Sequence, residues 1–174
     1  MKTYKYTLFI SLVVSSLILI SKFSFDVNSI VTVLLAGLIA SFFPYFDYLI
    51  VAFYLSPNTE SSITIKKFFL RREYVKLISF IDFGNLSGLK PTINSAHFQA
   101  ILMILGFYFL TTHPLLFGFS LLLNLMVNLT YRLYAKLPYY LNWFWLFKNP
   151  VSLSLVKVWI YINIAISIVY IILI

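Results

Sequence analysis

Asp47 is a carboxylate set inside an apolar run, shortly after Pro44. An ionised group in such a run is costly to bury. It is kept where it binds a metal or carries a proton, or where it sits at hydrated interface depth beside a lysine. His97 and Gln99 open a later apolar run, and Asn94 stands one helical turn before His97. Those two share a face if the helix begins early. Asn124 and Asn128 are four residues apart in a third run, so both should turn from lipid toward another helix, where amides act as interhelical glue. Asp47, Asn94, His97, Asn124 and Asn128 form the candidate polar cluster. Of these, Asp47 and His97 are the metal-ligating types, since neutral amides hold divalent cations poorly. The chain has no cysteine, so a metal would rest on oxygen and imidazole. Ser154 and Lys157 match the S-x-x-K spacing of serine acyl-enzymes, but the companion motifs are missing and Lys157 belongs to the wider charge pattern. Glycine-rich phosphate loops and H-E-x-x-H are absent.

The elements that must position these residues follow from composition. The chain has 174 residues, 61% hydrophobic and 10% charged, with a mean hydropathy of +0.95. A soluble domain of this size could not bury so much apolar surface. A bilayer crossing takes roughly 20 apolar residues, which allows about five spans and no separate soluble catalytic domain. The expected fold is all-α: a polytopic transmembrane bundle forming one membrane domain over residues 1–174, with one cytoplasmic amphipathic helix. The spans fall at about 6–23, 30–55, 96–112, 115–134 and 153–174. Pro44 removes a backbone donor and is expected to break the second span. The first span reads as a retained signal anchor, since no small-x-small site follows Ile20. Thr112-His113-Pro114 makes a tight turn between the third and fourth spans, and the aromatic stretch Leu137 to Phe147 suits the interfacial belt.

The net charge of +8 is explained by position, and no nucleic-acid partner is expected. With the N-terminus cytoplasmic, every one of the 13 basic residues except Lys22 falls inside, a strong positive-inside signal. That places the chain in the plasma (inner) membrane, multi-pass, with an extracytoplasmic C-terminus. The long polar loop 56–95 alternates Ile63, Ile65, Phe68, Leu77 and Ile81 with Lys66, Lys67, Arg71, Arg72 and Lys76. This spacing predicts an amphipathic helix over Ile63 to Ile81 lying on anionic headgroups, ended by Gly84, Gly88 and Pro91. Asn85-Leu-Ser87 and Asn128-Leu-Thr130 match the glycosylation pattern, but the first is predicted cytoplasmic and the second lies within a span.

Phe43-Pro44-Tyr45-Phe46-Asp47-Tyr48, Asn94-Ser95-Ala96-His97-Phe98-Gln99 and Asn124-Leu125-Met126-Val127-Asn128 together resemble the YdjM-like group of small bacterial membrane proteins described as metal-dependent hydrolases. The resemblance implies a P-D-x-D-H run after an early span, an H-S pair opening a later one and an H-x-x-x-D pair on the next. These would gather a divalent metal that activates water. In this chain only Asp47 keeps a ligand type. Tyr45, Tyr48, Asn94, Asn124 and Asn128 stand where aspartate or histidine would be, and His97 is displaced by one turn. A catalytic metal site usually takes three protein ligands, so the expected member is catalytically silent, leaning away from an enzyme, and works by binding or assembly with a protein partner or a second copy. The alternatives are an active metal-dependent hydrolase on a lipid-linked substrate and a small transporter or channel subunit.

Overall fold

The computed structural model describes residues 3–23, 25–83, 86, 88–112, 115–137, 143–145 and 151–173. These residues form helices and no strand. The order is α1 (Thr3–Lys22), α2 (Val27–Ile50) running on into a π-helical turn (Val51–Leu55), α3 (Glu60–Leu70), α4 (Tyr74–Phe83), α5 (Ala96–Thr111), α6 (Leu116–Ala135) and α7 (Leu153–Leu173). Four of them are long and apolar enough to cross a membrane: α1, α2 with its π turn, α6 and α7. The fifth apolar helix, α5, has 16 residues and falls short of the usual crossing length.

Short polar side chains set where the helices begin. Asp26 accepts from the Ser29 N–H at 2.9 Å, Thr59 from the Ser62 N–H at 3.2 Å and Ser95 from the Phe98 N–H at 3.2 Å. Each satisfies one of the donors that a helix start leaves without an internal acceptor.

The centre of the bundle is α6, which packs against α1, α2, α5 and α7. Of its length, 67% is buried, against 28% for α7. Leu123, Met126, Leu129 and Leu133 carry its apolar faces into the main core with Ile18, Val33 and Val156. Close approach of α1 and α2 depends on Gly37, where a Cβ would lie 2.6 Å from the Ser15 hydroxyl. Gly106 similarly leaves room on α5 for the Tyr170 ring of α7, whose hydroxyl donates to the Met103 carbonyl. Trp159 on α7 adds a bond to Gln99 Oε1 at 2.6 Å.

Three sequence expectations change here. The second span is not broken at Pro44: the helix continues through it, and the register shifts only at Val51. The single amphipathic helix over Ile63 to Ile81 is two helices, separated by an elbow in which Arg72 adopts φ +59°. A left-handed residue cannot sit inside a right-handed helix, so α3 ends and the chain turns. The apolar face of α3 and α4 is also in part covered, though Ile63 and Val75 stay exposed. Ile65, Leu77 and Ile81 join Tyr45, Tyr48, Val51 and Ala52 in a second core built on the end of α2. From the aromatic stretch, Trp143 and Phe144 are buried in the main core and Trp145 donates to the Pro91 carbonyl at 3.0 Å. The neighbouring residues 138–142 and 146–150, the His113-Pro114 part of the predicted turn, Gly84 and the Asn85 and Ser87 positions lie outside the described residues.

Candidate functional site

Asp47 projects from the last part of α2 and is buried, at 3% exposure. Its Oδ1 accepts the Thr92 N–H at 3.1 Å, and its Oδ2 accepts the Asn94 N–H at 2.9 Å and the Asn94 side-chain amide at 3.1 Å. Asn94 Nδ2 also donates to the Pro44 carbonyl at 2.8 Å. The carboxylate thus gathers the turn just ahead of α5, and Ser95 then caps that helix. Hydrogen bonds to a charged acceptor are stronger than neutral ones, and three of them offset much of the cost of burying a carboxylate. Asp47 and Asn94 therefore meet. His97 stands in the first turn of α5, half-buried.

Asn124 and Asn128 do not join them. Asn124 Nδ2 donates to the Ser15 hydroxyl at 3.3 Å and the Ser120 carbonyl at 2.9 Å, and Asn128 Nδ2 donates to the Ser11 hydroxyl at 2.7 Å. Ser41 of α2 closes the set by donating to Ser11 at 2.8 Å. These side chains bind α1, α2 and α6 to one another. Four of the five candidate residues thus make two separate constructions, Asp47 with Asn94 a turn clamp and Asn124 with Asn128 a helix tie.

The asparagine spacing continues further along α6. Asn124, Asn128, Arg132 and Lys136 recur every four residues, and the last two meet the second core. Arg132 is fully buried. Its Nη2 lies 3.4 Å from Asp82 Oδ1 on α4, and its guanidinium stacks over the Tyr45 ring with Cζ 4.2 Å from the centroid. The Tyr45 hydroxyl donates to both oxygens of Asp82, at 3.0 and 3.2 Å. Lys136 donates to the Ile81 carbonyl and sits 5.5 Å from the Tyr48 ring centroid. Burial, reinforced by the neighbouring Arg132 charge, pushes the Lys136 ammonium down to about 7 against the pull of Asp82. Among the described residues, Arg132 Nε and Nη1 have no hydrogen-bond partner.

Sequence reasoning singles out the asparagines, takes Tyr45 only as a lost ligand position, and gives Arg132, Lys136 and Asp82 no place in a site. The signal was present in the four-residue repeat. Arg132 and Lys136 were absorbed into the positive-inside pattern, and Asp82 into a polar loop.

The five basic residues assigned to a membrane surface also divide. Lys66 is half-buried, donating to the Pro57 carbonyl at 3.1 Å and lying 5.7 Å from the Phe53 ring centroid. Lys76 pairs with Glu73 at 3.0 Å. Lys67, Arg71 and Arg72 are exposed around the elbow, beside exposed Leu70, Tyr74 and Val75.

No group of three His, Asp or Glu side chains that could hold a metal ion gathers among the described residues. The apolar helices mark the chain as a membrane protein. No family model matches it, and no curated protein or solved structure gives a significant match.

Proposed function

We propose that the chain is a multi-pass membrane protein that works by binding or assembly, built on a scaffold like that of the YdjM-like hydrolases but without their metal chemistry. The observation that carries this reading is the engagement of Asp47. Its carboxylate accepts three N–H donors from Thr92 and Asn94, so the position that would be a ligand in the hydrolase pattern serves as a clamp. A metal would have to displace those donors and leave buried N–H groups without acceptors. In this reading α5 makes a fifth, short crossing, the end bearing α3 and α4 faces the cytoplasm, and the C-terminus lies outside. The charge distribution supports that orientation, since among the described residues Lys22 is the one basic side chain at the other end. The exposed elbow of Lys67, Arg71 and Arg72 with Leu70 and Val75 contacts anionic headgroups, which attract clustered basic residues.

The test is metal content by mass spectrometry on protein purified in mild detergent and equilibrated with zinc or manganese, wild type beside Asp47→Ala. Neither should retain metal. A stoichiometric metal that is lost in the variant would overturn the reading and establish a metal-holding site.

A further inference from the structure

A cleft of about 760 Å³ runs along the bundle where α1 and α7 diverge over α6. That volume lies within the range of ligand sites rather than of packing defects. Its walls are mostly apolar, with Val14 and Leu17 from α1, Val127 from α6 and Ile164, Ile168 and Ile171 from α7. Its polar lining is densest toward one end, with Tyr161 and Ser167 further along α7. Lys157, the single charged residue of α7, lines the cleft near the start of that helix, and Tyr131 and Tyr134 line it near the end of α6. Both of those helix ends belong to the basic end of the molecule. From Lys157 to Ile171 the cleft follows α7 for about 21 Å at the helical rise per residue. Several walls face outward: Leu17, Tyr161, Ile164 and Ile168 are each at least 40% exposed, so the cleft is reached from the surrounding medium.

We infer that this cleft is a binding site for an anionic glycerophospholipid, with one acyl chain laid along the apolar walls and the phosphate at Lys157. Charge and shape choose this occupant. A cation and two tyrosines at one end of a mostly apolar channel match a molecule with a single anionic head and a long tail. A peptide helix would bring backbone ends and side chains for which these walls have no partners. A lysine that only reached out to the headgroup layer would also favour an anionic lipid, but its preference would not depend on the apolar channel beside it, which the Ile164→Trp variant separates. The inference needs the apolar helices to lie in a bilayer and is independent of whether Asp47 holds a metal.

Native mass spectrometry tests it. Protein in neutral detergent is offered phosphatidylglycerol or phosphatidylcholine with identical chains, at equal concentrations. Wild type should carry several-fold more phosphatidylglycerol. Lys157→Gln should remove most of the preference, leaving what the exposed Lys67, Arg71 and Arg72 hold, Lys157→Arg should restore it, and Ile164→Trp should reduce adducts of both by filling the channel. Lys5→Gln, on α1 outside the cleft, should keep the wild-type ratio, which shows that the effect is not a response to net charge. Equal binding of both lipids to wild type would overturn the inference, as would an unchanged preference in Lys157→Gln or undiminished adducts in Ile164→Trp. A polyprenyl phosphate that displaces phosphatidylglycerol would overturn the choice of occupant, and so would a dimer that sheds lipid because a second copy fills the cleft.

Discussion

Asp47 and Arg132 are both charged side chains buried near the same end of the bundle, and they are served very differently. Three donors from Thr92 and Asn94 surround the Asp47 carboxylate. Arg132 has one long ion pair to Asp82 and an aromatic ring beneath it, with two of its nitrogens lacking partners among the described residues. The difference lies in where the partners come from. Asp47 is met by two backbone N–H groups and the Asn94 side-chain amide of one turn, which arrive together once the chain reverses direction. Arg132 is met by a side chain on α4, a helix whose position depends on its own docking against α2. Both contacts are tertiary, but the carboxylate is held by several donors of one short turn, whereas the guanidinium rests on a single side-chain pair that lasts only while that interface stays closed.

The largest effect expected from this contrast is at Asp82. Asp82→Ala removes the counter-charge and leaves Arg132 buried, a change that typically costs about 3–5 kcal/mol. Replacing both residues, Asp82→Leu with Arg132→Met, should recover most of that loss. Denaturant titration in detergent would show it, and a double variant as unstable as the single would mean that packing rather than charge explains the loss. The next effect is at Asp47. Asp47→Asn keeps the shape but presents an amide N–H₂ to donors, and should cost about 2 kcal/mol, in the range for orphaned buried polar groups. A larger loss at Asp47 than at Asp82 would reverse the comparison.

A third effect, graded with pH rather than set by a substitution, is centred on Lys136. Its folded-state pKa is pushed down to about 7 from an ordinary 10.5, so between those values the unfolded chain binds the proton more tightly. Stability contributed through this group therefore rises as pH increases from about 7 toward 10.5 and is lowest below 7, where the buried ammonium must carry its charge beside Arg132. Thermal melts in detergent across that window should show the rise, and Lys136→Met should flatten it. An identical slope in the variant would assign the pH dependence to another group.

How much of this was legible in the sequence depended on how local each feature is. The apolar lengths of α1, α6 and α7 read directly from hydropathy, because a bilayer crossing imposes a length on one continuous segment. Asn128 and Asn124 were placed on one helix face by their spacing, and the structure sets both against α1 serines. Pro44 misled because its missing N–H was weighed alone; the structure carries the helix through it, and Asn94 donates to its carbonyl. The elbow at Arg72 has no glycine to announce it. Asp82 could not be found from its neighbours in sequence, since its role exists only once α4 lies against Tyr45 and α6.

The Asp47 clamp joins positions 47 residues apart, so the excursion carrying α3 and α4 leaves the bundle and returns to it at nearly the same spot. Stretches held at both ends in this way can lengthen or shorten over evolutionary time at little cost to the scaffold, because closure entropy grows only slowly with length. Here that freedom has a limit. The excursion supplies Asp82, so a lineage that trims it down to a plain turn must change Arg132 in the same step. Shortening the excursion past Asp82 is therefore expected to cost stability unless Arg132 changes with it.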